Sequence, residues 1–185
     1  LGGSQSGHIA AVGYDLYCEM VTEAVAELKG EETQKASEIK IDLPIKAYLP
    51  VDYVEAEEQR LEAYRRLANV SELVEVADIE AEWVDRYGPI PDPAKTLLHI
   101  ALLRSECVRL EVTDINVSNR NRIRISPMEL SQSEQVRFRR LTNEGPYTGG
   151  TYKEDLYEVT IHAEPVSSML PGQVYSFLRE LRPPK

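Results

Sequence analysis

The side chains able to do chemistry lie far apart in this 185-residue chain. His8, His99 and His162 have no cysteine or carboxylate at metal-ligand spacing. No G-x-S-x-G, H-E-x-x-H or phosphate-cradling glycine loop occurs. No metal or cofactor is therefore expected within the chain, and His99, on an apolar stretch, reads as a satisfied core residue. Carboxylates are abundant, but their spacing recommends no acid–base pair. Three features remain. Gln5 is a carboxamide among Gly2, Gly3, Ser4, Ser6 and Gly7, in a loop whose backbone turns freely and whose side chain both donates and accepts. Glu82 and Asp85 are three residues apart, so on a helix they project from neighbouring points of one face, a geometry suited to guanidinium recognition. Arg120, Arg122 and Arg124 alternate along a hairpin and, with Arg137, Arg139 and Arg140, form a candidate basic patch. No aromatic platform interleaves these arginines, so a solvated strand face is the stronger reading.

The elements that must hold these residues follow from periodicity. Tyr17, Val21, Ala24 and Leu28 form one helical stripe over residues 15–29, closed by Gly30. Residues 31–38 are polar and aperiodic, and read as a linker. Residues 39–49 alternate strictly, which predicts a half-buried strand, with Pro44 favouring an edge. Asp52 and Glu55 resemble a capping box opening a helix to Ala68. Ser71 can cap the next helix, which ends at Tyr87 before Gly88-Pro89, with Leu73, Val76, Trp83 and Tyr87 as its buried stripe. Asp92-Pro93 opens a third helix to Leu110, apolar on most sides and therefore central. Residues 114–126 read as a β-hairpin turning at Asn119-Arg120-Asn121. Ser131 and Glu134 form a capping box for a helix carrying Val136, Phe138 and Leu141. Tyr157, Val159 and Ile161 give a strand of undetermined partner. Val174, Phe177, Leu178 and Leu181 give a last helix from about Pro171. The fold class is α+β: a small, mostly antiparallel or mixed sheet packed with a layer of four to five helices.

Charge is uneven. The chain carries a net −10. Residues 52–92 hold twelve carboxylates against four arginines, a net of −8; residues 116–140 hold six arginines against two glutamates, a net of +4. This balance argues against autonomous DNA binding, which needs Lys and Arg for the phosphates. No apolar run reaches membrane-span length and no leader pattern opens the chain, so a cytoplasmic protein without membrane contact is expected. Cys18 and Cys107 fall within helical patterns and read as buried thiols, with a disulfide left open.

Several stretches together resemble one family. Leu-Gly-x-x-Gln5-Ser-Gly with Ile9, Gly13, Asp15, Leu16 and Tyr17 looks like the segment closing the helicase core of transcription-repair coupling factors (Mfd proteins), and its Gln-Ser-Gly part resembles the translocation motif shared with RecG-type helicases. Leu61-x-x-Tyr64-x-Arg66-Leu67-Ala68 and Trp83-Val-Asp85-Arg86-Tyr87-Gly88-x-Ile-Pro91-x-Pro93, followed by the Leu-rich helix, are similar in order to the C-terminal domain of the same family. The resemblance implies a division into residues 1–37, the tail of the translocation motif with its helix and linker, and residues 38–185, the C-terminal regulatory domain. It implies a parent that uses ATP and Mg, tracks on double-stranded DNA, displaces stalled RNA polymerase and recruits UvrA. It assigns Gln5 to coupling ATP hydrolysis to movement, and Glu82 and Asp85 to an inhibitory contact with arginines of the parent's own N-terminal UvrA-binding domain. The alternatives are an accessory interaction domain of a RecG-like helicase without a transcription role, and a free-standing enzyme, which would need a polar cleft.

Overall fold

The computed structural model describes residues 39–118, 121–145, 147–162 and 169–185. The expected helix at residues 15–29, Gln5, Cys18 and Arg120 lie outside them. Among the described residues there are five α-helices and one five-stranded mixed sheet, an α+β fold as predicted. They form two compact units, one of residues 46–102 and one of residues 39–45 with 103–185.

The first unit is helical. Strict alternation of burial does run from Ile39 to Leu49, but only β1 (Lys40–Asp42) joins a ladder. Pro44, which has no N–H to give, follows it, and the extended chain then leaves the sheet. Leu49 is buried, and its N–H donates to the buried Tyr64 hydroxyl at 2.9 Å. Helix α1 (Glu57–Ala68) begins later than the Asp52-to-Glu55 pattern predicts. Residues 51–53 form a turn instead, and Arg60 closes it by donating to the carbonyls of Val54 (2.6 Å) and Glu55 (2.9 Å). Helix α2 (Leu73–Tyr87) is capped by Glu72 rather than Ser71, in a reciprocal capping box with Glu75. Ser71 donates its N–H and hydroxyl to the same Glu75 carboxylate, and these donors hold that carboxyl below its usual range. The buried stripe of α2 is Val76, Ile79 and Trp83; Leu73, expected in it, is exposed. Gly88 ends α2 at φ +85°, a backbone that a Cβ would strain, and Tyr53 donates to its carbonyl at 3.0 Å.

Helix α3 (Asp92–Leu110) contributes residues 92–102 to this unit and 103–110 to the other. Ala94, Leu97, Leu98, Ile100, Ala101, Leu102, Leu103 and Cys107 are all buried, as its apolar circumference predicts.

The second unit is built on the sheet, in the order β1-β2-β3-β5-β4, where β2 is Asp114–Ser118, β3 Arg122–Ser126, β4 Thr151–Lys153 and β5 Glu158–His162. The predicted hairpin is β2–β3, with Ile115 opposite Ile125. Strand β1 lies parallel to β2 at one edge, where Pro44 costs no ladder bond. Strand β5, whose partner the alternation could not name, pairs antiparallel with both β3 and β4. Tyr157 falls outside it, at φ +46° and exposed. Ile41, Ile115, Ile123, Ile125, Val159 and Ile161 make the sheet's buried rows. Helix α4 (Gln132–Asn143) has the Ser131–Glu134 capping box read from the sequence, but its buried side chains are Phe138 and Thr142 while Val136 is exposed. Helix α5 (Leu170–Leu181) buries Val174, Phe177, Leu178 and Leu181 as its spacing predicts. Phe177 meets Phe138 and Tyr147 edge-on, with centroids at 6.2 and 5.0 Å. Gly150 lies so close to α4 that a Cβ there would sit 2.3 Å from Thr142 Cγ2.

Candidate functional site

The acidic pair lies on the C-terminal half of α2, 60° apart at about 100° per residue. The helix exists here because Val76, Ile79 and Trp83 bury one side of it, which turns Glu82 to its flank and Asp85 outward. The two carboxylates then differ. Glu82 bridges two arginines: one oxygen takes Arg66 Nη1 of α1, and the other takes Arg86 Nη1, one turn along, at 3.1 Å. Those guanidiniums pull the Glu82 carboxyl below its usual range, Arg66 first. Arg86 also lies over the Tyr87 ring, 5.3 Å from its centroid. Glu82 thus ties α1 to α2 within the unit. Asp85 is exposed and has no ion pair among the described residues. The sequence resemblance treats them alike; the structure makes one a local clasp and leaves the other available. Arg66 stands sixteen residues before Glu82, and neither periodicity nor motif spacing could have found that bridge.

A shallow groove of about 330 Å³ lies in the same unit, lined by residues of α1, α2 and the connection between them, including Arg66, Asn69, Val70, Glu75 and Asp78. Its charges are mixed, and no nucleophile stands beside a base in it.

The basic patch is dispersed. Arg122 and Arg124 are exposed on the polar face of β3. Arg124 pairs with the buried Glu158 at 3.0 Å, and Lys153 takes the other oxygen of that carboxylate at 3.4 Å. Arg137 donates to the Leu181 carbonyl at 2.7 Å, so it serves the end of α5. His99 departs from expectation: its Nδ1 is buried without a hydrogen-bond partner. Among the described residues, no group of three or more His, Cys, Asp and Glu side chains could hold a metal ion. No described helix is long and apolar enough to cross a membrane.

Residues 43–139, from the end of the parallel-strand segment to the middle of α4, match the TRCF domain family. Over 164 residues the chain is 41% identical to the transcription-repair-coupling factor of Mycobacterium bovis, covering 83% of this chain and 13% of that protein. Over 119 residues it is 37% identical to the transcription-repair-coupling factor of Escherichia coli, covering 60% of this chain and 10% of that protein. A solved C-terminal domain of a transcription-repair coupling factor has a similar fold, with a TM-score of 0.65 over 77% of this chain and 91% of that one, at 22% identity. The chain spans about an eighth of its Mycobacterium relative. The matched segment holds α1, α2 with the acidic pair, α3 and the hairpin, and on that match this chain belongs to the transcription-repair-coupling factor family.

Proposed function

We propose that this chain is the C-terminal regulatory domain of a DNA-repair translocase, holding its parent in a repressed state through the outward acidic face of α2. The observation that carries this reading is the exposed Asp85 carboxylate, without an ion pair among the described residues, on a segment of net charge −8. A carboxylate so placed is suited to an arginine brought from another domain. Family membership supports the rest: a parent that hydrolyses ATP with Mg, tracks on double-stranded DNA, displaces stalled RNA polymerase at lesions and recruits UvrA. In this reading the occupant is the parent's N-terminal UvrA-binding domain, residues 1–37 are the tail of the motor with Gln5 in its translocation motif, and the protein is cytoplasmic. The match to the TRCF domain supports it over an accessory domain of a RecG-type helicase.

Glu82 enters the reading in a changed role. Its bridge to Arg66 and Arg86 fixes the face that presents Asp85. An incoming arginine at Glu82 would meet those two cations, whereas one at Asp85 meets a free anion. The test is charge reversal in the full-length protein. Asp85→Arg should raise the basal ATPase rate and the affinity for UvrA together. Unchanged values for both would remove Asp85 from any inhibitory contact.

A further inference from the structure

The polar face of the sheet carries a second groove, of about 350 Å³, wholly within the sheet unit. Strand residues alternate between faces, so β3 sends Ile123 and Ile125 into the core and leaves Arg122 and Arg124 outside. Register then sets their neighbours. Arg124 lies opposite Thr160 of β5, and Thr160 lies opposite Thr151 of β4. Lys153 of β4 lies opposite Glu158 of β5. The buried Glu158 takes Arg124 at 3.0 Å on one oxygen and Lys153 at 3.4 Å on the other. That carboxylate neutralises one of the two cations and holds both in place, while they stay 46% and 56% accessible. Arg122 is exposed, lines the same groove and has no ion pair among the described residues. Three cations against one carboxylate leave the groove a net +2, in a chain of net −10.

We infer that this groove binds the phosphate group of a small molecule, a phosphate monoester or a diphosphate. Guanidinium, ammonium and hydroxyl donors arrive there from three strands, Arg122 and Arg124 from β3, Thr160 from β5, and Thr151 and Lys153 from β4. Donors spread in this way suit the several oxygens of a tetrahedral anion, whereas a planar carboxylate is satisfied by one guanidinium fork. Cations already positioned by Glu158 lose less freedom when an anion arrives. Size and charge select a small ligand over a polymer. The volume sits at the low end of small-molecule sites. Among the described residues, no aromatic side chain lines the groove to stack a base. Outside the groove the chain is strongly acidic, which repels a long polyanion.

The test titrates pyrophosphate and adenosine monophosphate into residues 1–185 and into three variants, by calorimetry at low salt. Saturable one-to-one binding of either probe is the expected result; pyrophosphate alone marks a diphosphate site, and the nucleotide marks a monoester site. Arg122→Ala and Lys153→Gln each remove one accessible cation, and should weaken that binding about tenfold, the worth of one charge-assisted hydrogen bond. Arg139→Ala removes an exposed cation of α4 outside the groove, and should leave the affinity unchanged. Both groove variants alter exposed side chains, and unchanged circular dichroism checks that they fold. Absence of saturable binding by both probes overturns the inference. So does an equal loss in all three variants, which makes the effect one of net charge alone. A short single-stranded DNA that binds, and weakens with Arg122→Ala, while neither small probe binds assigns the groove to a nucleic-acid backbone and overturns the small ligand. The groove and Asp85 lie in different units, so none of these outcomes bears on the inhibitory contact.

Discussion

The two units use their charged residues differently. In the sheet unit, arginines turn inward to hold helix ends. The buried Glu106 of α3 takes Arg109 at 2.6 Å and Arg179 of α5 at 2.8 Å. Arg182, just past α5, reaches the Glu134 carboxylate at the start of α4 at 3.0 Å and the Glu129 carbonyl at 2.7 Å. Arg109 also donates to the Arg182 carbonyl at 2.6 Å. These arginines lie outside the basic patch read from the sequence, in which Arg124 pairs with Glu158 and Arg137 donates to the Leu181 carbonyl. Among the described residues of the helical unit, Glu82 takes two arginines and Glu62 pairs with Arg65 at 3.4 Å within α1, while Asp78, Glu80 and Asp85 are exposed. A formal charge count locates surplus charge but does not say which groups are already engaged. The pairing does, and it leaves the outward face of α2 as the acidic surface suited to a partner.

That contrast can be broken from either side. The largest effect should come from the sheet unit's core. Phe177→Ala removes a fully buried ring packed against Phe138 and Tyr147, and should cost about 3–5 kcal/mol in denaturant unfolding. Next, Glu106→Ala strands two arginines that are about 30% accessible, and should cost roughly 2 kcal/mol. If it costs nothing, the inward arginines do not hold α5. The third is a pH effect. The Arg182 guanidinium, with the Ser131 backbone N–H, lowers the Glu134 carboxyl to about 2. A depressed carboxyl contributes stability that is complete above its unfolded value and disappears as pH falls through the folded one. Wild type should therefore lose about 1 kcal/mol more than Glu134→Gln between pH 5 and pH 2, after solvent screening of an accessible pair. The smallest effect belongs to the helical unit: Glu82→Ala should cost about 0.5 kcal/mol and Asp85→Ala close to nothing. An equal, larger loss for both would mean that Asp85 has a local partner and that the contrast is false.

Much of the fold was legible from residue order, and the exceptions share a cause. The hairpin, α3, α5 and the Ser131–Glu134 box follow from residue order because each depends on neighbours within a turn or two. Capping patterns do not mark the start of α1, because Arg60 satisfies the carbonyls just before it. The strand from Ile39 is shorter than its alternation predicts, because alternation reports burial, which extends to Leu49, and not pairing, which ends at Asp42. Periodicity does not separate the exposed Leu73 from the buried Ile79, because apolar residues on both sides of α2 blur its phase. At the candidate site, the spacing of Glu82 and Asp85 was legible, but the Arg66 bridge that makes them unequal was not, since it joins two helices.

The central claim is that an acidic helix face, with no bond-making of its own, holds a basic surface of the parent. Its most direct test is a titration of residues 1–185 with the parent's isolated N-terminal UvrA-binding domain at two salt concentrations. Saturable one-to-one binding that weakens with salt and with Asp85→Arg, but survives Glu58→Ala, is the predicted result. Binding that ignores both salt and Asp85→Arg, or no binding at all, would contradict it.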